Sequence, residues 1–448
     1  MLNFDLSPGQ KELRDQVRRF ALTEILPAVW HYDDVDEIPL FLLRKAFDAG
    51  FMNANIPVKY GGKGLGLIED VILTEEISAV CPGVATSIFD NSLGTVPLLL
   101  TQNEHVREKY LPEIVRSFKR ICFATSEPTM GSDVASMRCR AEKQGDDFIL
   151  NGTKYWITNA GVADYMSVFA TIDPAMKHEG ICAFLVERNW DGVSVGRAIP
   201  KLGQRASNTA GINFKNVRVP AENVLAEPGS GFILAMKTFS RTRPSIGAFA
   251  VGAARSAMDY AIDYAKKRKA FGAELANFEA IQFKLADMYQ KVETARLLVW
   301  KAAWEADNGR DPTISASIAK VYATETALEV ANDALQIFGG YGYTRMFPIE
   351  KIMRDTRLFS IYEGTSEVQR LLLSGHVLGK YKPVMPALED LAMVRGLDLG
   401  DPAAKNKTAW RCRMCGHIHY GEEPPDECPY CFFPKTAFKK VWPPVAPA

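Results

Sequence analysis

The sequence predicts an α+β multidomain protein in which two helical sections enclose a strand-rich one and a small metal-binding domain closes the chain. Three observations carry this. Apolar residues recur at helical spacing on both sides of residues 121–230, and β-rich runs fill that middle stretch. Four of the eight cysteines then crowd into "WRCRMCGHIHYGEEPPDECPYC" (410–431). At 448 residues the chain suits about three domains, and 47% hydrophobic content lets each bury a core.

The elements follow in order. Ser7-Pro8-Gly9-Gln10 is a capping box with Pro at the first helical position, opening a helical section over residues 1–120 that "YGGKGLG" interrupts. A β section is expected over 121–230. There "FILNGTKYWIT" predicts a hairpin turning at Asn151-Gly152, a pair suited to a type I′ turn, and "YMSVFATI", "ICAFLVE", "VSVGRAI" and "INFKNVRV" predict further strands. Residues 231–384 return to helices. Ile281, Leu285, Met288, Val292, Ala295 and Leu298 keep helical spacing until "DNGRDP", and a second helix runs from Ser315 to Phe338 with Gly339-Gly340 as its stop. Residues 385–407 are expected to be a linker with at most a turn of helix, and 408–445 the terminal domain.

Charge excludes some functions. Lys+Arg and Asp+Glu balance at 53 each, so nothing points to nucleic acid or a membrane surface. No apolar run has the length of a membrane span, and "MLNFDLSPGQKELRDQ" lacks the apolar core of a signal peptide. A cytoplasmic protein is the expectation. Cys81, Cys122, Cys139 and Cys182 are scattered and read as small buried hydrophobes.

The tail's spacing points to metal. Cys412 and Cys415 form one C-x2-C pair, Cys428 and Cys431 another, twelve residues apart. Each pair offers two thiolates from one turn, and two facing turns make a tetrahedral S4 site for zinc or iron. Disulfides compete weakly, because a reducing compartment is expected. Gly416 suits the left-handed backbone after the first knuckle, Pro429 lies inside the second, and Trp410, Tyr420, Phe433 and Phe438 are expected to form a small aromatic core. "YGEEPPDECPYC" resembles the rubredoxin domain at the end of rubrerythrins, which implies one iron on four cysteines carrying one electron. Phe432 departs from that pattern, standing where the second knuckle normally has Gly, and keeps zinc as the alternative.

Six motifs then name a family for the rest. "FATSEPTMGSD" (123–133), "NGTKYWITNA" (151–160), "RTRPSIGAFAVGAAR" (241–255), "RKAFG" (268–272), "DALQIFGGYGYT" (333–344) and "IYEGTSEVQR" (361–370) resemble signatures of the acyl-CoA dehydrogenases, in the family's order and over residues 1 to about 381. The "TRP" stretch is most like the medium-chain members. The resemblance implies an N-terminal helical domain, a middle β domain and a C-terminal four-helix bundle. It implies FAD as cofactor, and removal of an α-proton and a β-hydride from an acyl-CoA thioester.

The resemblance also assigns residues. Glu363 takes the place of the catalytic base, flanked by Tyr362 as an apolar wall and by Gly364, where a ligand approaches the backbone. A buried glutamate base is raised from about 4.3 towards 6–7. Phe123, Thr125, Ser126, Trp156, Ile157 and Thr158 match flavin-ring contacts, and Thr365 and Glu367 further ones. Arg268 and Phe271 match the pyrophosphate side, and Gln336 and Gly340 match contacts to a neighbouring subunit's cofactor. These imply a homo-oligomer, usually a tetramer in this family. Ser132, Thr242 and Arg243 match positions along the thioester and CoA. "GGKGLG" is neither a dinucleotide fingerprint nor a P-loop. Two departures stand out. Thr129 and Met130 replace small residues and are expected to narrow the acyl mouth, and Glu279 replaces Gln near the cofactor phosphates.

The family hands electrons to a separate electron-transfer flavoprotein. Here a linker of about twenty residues, spanning roughly 25 Å, would let the tail's iron act as acceptor or relay. Three other readings use the same residues: an enoyl-CoA reductase running in reverse, an acyl-CoA oxidase with a structural zinc ribbon, and a non-catalytic electron-transfer protein.

Overall fold

The structure is a computed structural model describing residues 5–381, 384 and 408–441. The chain divides into two compact units, Met1–Leu378 and Gly379–Ala448. The expected linker at 385–407 lies outside the described residues.

The first unit opens with α1 (Pro8–Phe20), α2 (Val29–Val35), α3 (Leu40–Asp48), α4 (Leu67–Val80), α5 (Pro82–Leu100) and α6 (Glu104–Arg116). The capping box is present: Ser7 Oγ accepts from the Gln10 amide at 3.2 Å, and Gln10 Oε1 accepts from the Ser7 amide at 2.9 Å. Helix α5 is buried along nearly its whole length, although it carries Thr86, Ser87, Asp90, Asn91, Ser92 and Thr95. Most of these bond within the chain. Asn91, for instance, accepts from the Ile121 amide at 2.8 Å and donates to Asn53 at 2.6 Å.

The strands are β1 (Ile121–Ala124), β2 (Arg140–Gln144), β3 (Asp147–Thr158), β4 (Tyr165–Thr171), β5 (Ile181–Glu187), β6 (Val193–Val195), β7 (Thr209–Val219) and β8 (Val224–Ala226). They form one sheet in the order β6-β7-β3-β2-β4-β5-β8, with β1 parallel to β4. Strands β1, β4 and β5 are buried on both faces. Ile121, Phe123, Tyr165, Phe169, Ile181, Ala183 and Leu185 join the core shared with the helices. The alternating Cys122, Ala124, Met166, Val168, Cys182, Phe184 and Val186 fill the sheet's own core. Two-sided burial explains why these strands read as continuous apolar runs.

The hairpin prediction needs correction. Residues 147–158 are one strand, and the turn falls at Gly145-Asp146, between the paired Gln144 and Asp147. Asn151-Gly152 sits instead at a bulge where the register with β7 shifts. A Cβ on Gly152 would come 2.8 Å from the Cys139 Cα, and Asn151 Oδ1 accepts from the Asn216 amide at 2.8 Å. The pair serves close packing and a bulge rather than a reversal.

The second helical section contains α7 (Gly231–Lys267), a short ribbon of β9 (Lys269–Ala270) and β10 (Ala273–Glu274), α8 (Glu279–Asp307), α9 (Thr313–Phe338), α10 (Ile349–Thr356) and α11 (Ser366–Gly379). Helix α9 stops at Gly339 with φ 59°, as predicted. Helices α7, α8 and α9 pack together, and α7 and α8 also pack against α4. Arg370 ties α11 to Glu325 of α9 by two bonds of 2.6 Å, while Leu371 and Leu378 stay exposed. Between α1, α4, α7 and α8 lies a buried charge cluster: Glu76 binds Arg18 and Arg255 at 2.8 Å, and Glu75 binds Arg255 at 2.8 Å and Arg296 at 3.0 Å. The four scattered cysteines are buried free thiols. Among the described residues no helix is long and apolar enough to cross a membrane.

The second unit holds β11 (Ala409–Cys412), β12 (Ile418–Tyr420) and β13 (Phe438–Val441) in the antiparallel order β12-β11-β13. Its core is Cys412, Cys428 and Phe438, with Trp410, Cys431 and Ala437 against them. Phe433 is exposed and Tyr420 half-buried outside this cluster, so the expected aromatic core reduces to Trp410 and Phe438. Cys412, Cys428 and Cys431 take the places in this small core that further rings would need.

Candidate active site and metal centre

Helix α11 is preceded by a sharp turn, and Glu363 sits in it with φ 53°. A left-handed glutamate is strained, so its surroundings must hold it there. Three contacts do. The Arg243 Nε donates to the Glu363 carbonyl at 3.4 Å, and Lys320 Nζ and Gln369 Nε2 donate to the Gly364 carbonyl at 2.7 and 3.0 Å. Gly364 follows at φ 89°, where a Cβ would lie 2.7 Å from Gln369 Nε2. Only glycine fits both the angle and the space.

The Glu363 carboxyl is served on one side. Thr242 Oγ1, on α7, donates to Oε2 at 2.7 Å, while the buried Oε1 has no partner among the described residues. Burial pushes this carboxyl up to about 7, against the Thr242 hydroxyl and the positive charges of Arg243 and Lys320, which pull it down. Lys320 is itself fully buried, and burial lowers its ammonium to about 7 despite Glu363 beside it.

Glu363 lines a cavity of about 700 Å³ together with Tyr362, Gly364, Thr365, Arg243, Ser132, Phe123, Thr125, Ser126, Trp156, Ile157 and Thr158. Twelve predicted residues thus share one space, although the sequence scatters them over 240 positions. Local structure fixes the two β segments. Lys154 Nζ donates to the Thr125 carbonyl at 2.9 Å and to Glu127 at 2.8 Å, while Glu127 accepts from the Arg138 and Cys139 amides at 2.8 and 2.9 Å. The Ser126 carbonyl accepts from the Tyr155 amide at 2.9 Å. Trp156, at φ 56° in a second β3 bulge, keeps its indole half-exposed at the cavity wall.

Other predicted residues lie elsewhere. Thr242 reaches the site only through its bond to Glu363. Glu367 is exposed on α11. Arg268, Phe271, Gln336 and Gly340 do not line the cavity, and all four are exposed, Phe271 by 98%. Arg268 lies over the Tyr341 ring at 5.8 Å. The expectation for Thr129 and Met130 is corrected: Met130 is buried in the helix-facing core, Thr129 points to solvent, and neither lines the cavity. Glu279 sits exposed in the first turn of α8, where the helix dipole favours a carboxylate. Lys320 and Asp90 were missed. Each carries a signal in hindsight, a lone charge inside an otherwise uncharged helical stretch ("SIAKVYA", "TSIFDNSL").

In the tail the four Sγ atoms lie within 4.8 Å of one another, with Cys412–Cys431 and Cys415–Cys428 at 3.6 Å. Metal–sulfur bonds of about 2.3 Å place sulfurs roughly 3.8 Å apart in a tetrahedron, whereas a disulfide needs about 2.05 Å. The two knuckles match. The Gly416 amide donates to the Cys412 carbonyl at 3.0 Å and the Phe432 amide to that of Cys428 at 2.9 Å. Gly416 has φ 82° and Phe432 φ 57°, so Phe432 adopts the glycine conformation without being glycine. Backbone amides of Cys415 and Met414 hold the Cys412 thiol down to about 7. A cation completes such a set.

A helical–β–helical unit with a raised carboxyl in a large cavity, on a chain that also carries an S4 metal-donor set, has the layout of a cofactor-dependent enzyme. Comparison with known proteins is specific. Residues 7–117, 122–217 and 229–378 match the N-terminal, middle and C-terminal domains of acyl-CoA dehydrogenase, and 410–439 match the rubrerythrin rubredoxin-like domain. A Mycobacterium tuberculosis protein named "Probable acyl-CoA dehydrogenase FadE25" is 41% identical over 376 residues, 84% of this chain and 97% of its own. Butyryl-CoA dehydrogenase from Megasphaera elsdenii superposes with TM-score 0.82 at 36% identity, covering 84% of this chain and 100% of that one. A chain from a structure titled for the electron transferring flavoprotein of Acidaminococcus fermentans gives 0.83, also at 36%, covering 85% and 100%. The chain belongs to the acyl-CoA dehydrogenase family and ends in a rubredoxin-like domain. It is an oxidoreductase of a flavin-dependent family. The cavity suits FAD: polar Thr125, Ser126 and Thr158 share one wall with Trp156, and the buried Thr125 hydroxyl has no partner among the described residues. The four cysteines of the rubredoxin-like domain form a tetrahedral thiolate donor set that suits iron.

Proposed function

We propose that the protein desaturates an acyl-CoA thioester to the 2-enoyl-CoA, with Glu363 as the base. One observation carries this: a cavity-lining carboxyl raised to about 7, with one oxygen bonded and the other unpartnered. A base raised this far is half ionised near neutrality and strong enough to take an α-proton. Thr242 fixes one oxygen, leaving Oε1 to accept. Bound FAD supplies the acceptor for the hydride that leaves the β-carbon. Thr125, Ser126, Trp156, Ile157, Thr158 and Phe123 would hold its ring, and Thr365 and Glu367 would add contacts. Ser132, Arg243, Tyr362 and Gly364 would line the thioester's path and exclude water.

The same reading covers assembly and electron flow. Arg268, Phe271, Gln336 and Gly340 would complete cofactor sites across subunits of a homo-oligomer, expected to be a tetramer; their exposure, with that of Leu371 and Leu378, supports it. Electrons would go on singly to an electron-transfer flavoprotein, to the tail's iron, or to both, in a cytoplasmic setting that keeps the four thiols reduced. The domain boundaries proposed are 1–120, 121–230, 231–384 and 408–445, with 385–407 as linker. The test is anaerobic stopped-flow absorbance across an acyl-CoA panel, with metal analysis. The flavin band should bleach first and the ferric-thiolate band second. Truncation after Gly400 should leave bleaching intact and slow delivery onward. No bleaching with any ester would refute the reading; peroxide formed in air, reoxidation by enoyl-CoA, or stoichiometric zinc would redirect it to an oxidase, a reductase or a structural tail.

A further inference from the structure

One buried acid in the cavity is not used by this mechanism. Thr86, Phe89, Asp90 and Leu93 line the cavity together, the i, i+3, i+4, i+7 face of α5. Asp90 is 4% exposed, and its Oδ2 has no partner among the described residues. Its polar neighbours on the same helix are matched. Thr86 donates to Gln204 at 2.9 Å, Ser87 to the Ala206 carbonyl at 3.3 Å, and Thr95 to the Ser92 carbonyl at 2.9 Å. Around it the cavity wall is apolar: Phe89, Leu93, Ile246 and Phe249. The cavity's other unpaired polar atoms, on Thr125, Tyr362 and Glu363, belong to other elements, so on this apolar face of α5 Asp90 is the group placed to orient a ligand.

We propose that Asp90 is a specificity-determining residue whose carboxyl binds a hydrogen-bond donor, hydroxyl or amine, carried on the acyl chain. The proposal rests on the dehydrogenase reading of the cavity. A plain alkyl chain would strip the carboxyl of water and return nothing, so it should be disfavoured. Burial and the negative charge of Glu363 push Asp90 well above the ordinary carboxylate range. That shift favours the protonated carboxyl, which can donate as well as accept towards a hydroxyl, while an amine on the chain would favour the ionised form. Glu363, held by Thr242, Arg243 and Lys320, keeps the catalytic position. The two carboxyls thus divide the work: one takes the α-proton, the other sorts the chain beyond it.

The experiment uses flavin-loaded enzyme with CoA esters four to eight carbons long, in sets matched for heavy atoms: alkyl, ω-hydroxy and ω-amino. At one chain length or more, a donor-bearing ester should exceed its alkyl match by about tenfold or more in kcat/KM. Asp90→Leu should reverse that order. Asp90→Asn, which keeps size and bonding capacity, should retain the hydroxy preference and lose the amino one. Calorimetric binding of the same esters to Glu363→Gln, with and without Asp90→Leu, gives the ranking without turnover. Absence of turnover with every ester would contradict the dehydrogenase reading, and the calorimetric ranking would still decide the role of Asp90. An alkyl preference in the wild type, or an unchanged ranking in the variants with flavin content intact, would overturn the proposal.

Discussion

Glu363 and Glu76 are both glutamates taken out of water, yet burial ends differently for each. At Glu76 burial pushes the carboxyl up, but the hydrogen bonds and charges of Arg18 and Arg255 overturn that and hold it at about 2. At Glu363 burial wins, and Thr242, Arg243 and Lys320 leave the carboxyl at about 7. The guanidiniums face the Glu76 oxygens directly at 2.8 Å. Near Glu363 the cations are spent on backbone carbonyls, Arg243 on Glu363 itself and Lys320 on Gly364. Whether the positive partner meets the carboxylate or the chain behind it separates the strut from the carboxyl proposed as the base. A shifted pKa by itself marks neither.

The largest effect should come from removing the base. Glu363→Gln keeps the Thr242 contact and the shape, so flavin should stay bound while its bleaching by substrate slows about 10²–10⁴-fold or more. Stopped-flow absorbance of the variant reads this directly, and bleaching at the wild-type rate would remove Glu363 from the mechanism.

The strut should respond in stability instead. Glu76→Gln leaves Arg18 and Arg255 without their shared carboxylate and should cost about 3 kcal/mol or more, seen in denaturant unfolding. Its folded value is depressed, so its contribution is full above about 4.5 and fades as pH falls from there towards 2. A loss at pH 7 equal to that at pH 3 would contradict the ion-pair account.

The opposite sign is expected at the base. A raised carboxyl is a net burden: nothing is lost below about 4.5, the penalty grows as pH rises to about 7, and it is constant above. Glu363→Gln should therefore stabilise the fold by about 1–3 kcal/mol at pH 8 and by little at pH 4.5. Thermal melts of the two proteins across that range check the slope.

The smallest effect belongs to the tail. Phe432 holds a left-handed conformation and is largely exposed, so little packing repays the strain. Phe432→Gly should stabilise the metal domain by about 1 kcal/mol and slow metal loss to a chelator. Faster loss would mean the ring shields the site.

These contrasts also explain what could be read in advance. The capping box at Ser7, the Gly339 stop and the four cysteines were legible because each is a local device, a side chain answering a backbone need within a few residues. The cavity residues were legible by resemblance: nothing within "YEGT" says that Thr242 lies 2.7 Å from Glu363. Asn151-Gly152 misled because the same pair that makes a tight turn also makes a bulge, and only Cys139 pressing on Gly152 decides between them. Asp90 and Lys320 stayed hidden because their partners, or lack of them, come from helices far off in sequence. Thr129 and Met130 looked like gatekeepers because a motif gives order along the chain and not direction in space.

The central claim is that Glu363 is a base made by burial without a facing cation. The most direct measurement is the pH dependence of flavin bleaching in single turnover, wild type against Lys320→Met. The wild-type rate should rise with loss of one proton at an apparent pKa near 7. That pKa should shift upward in the variant, since the Lys320 charge pulls it down. A rate independent of pH from 5.5 to 8, or a pKa near 4.5 in both proteins, would contradict the claim.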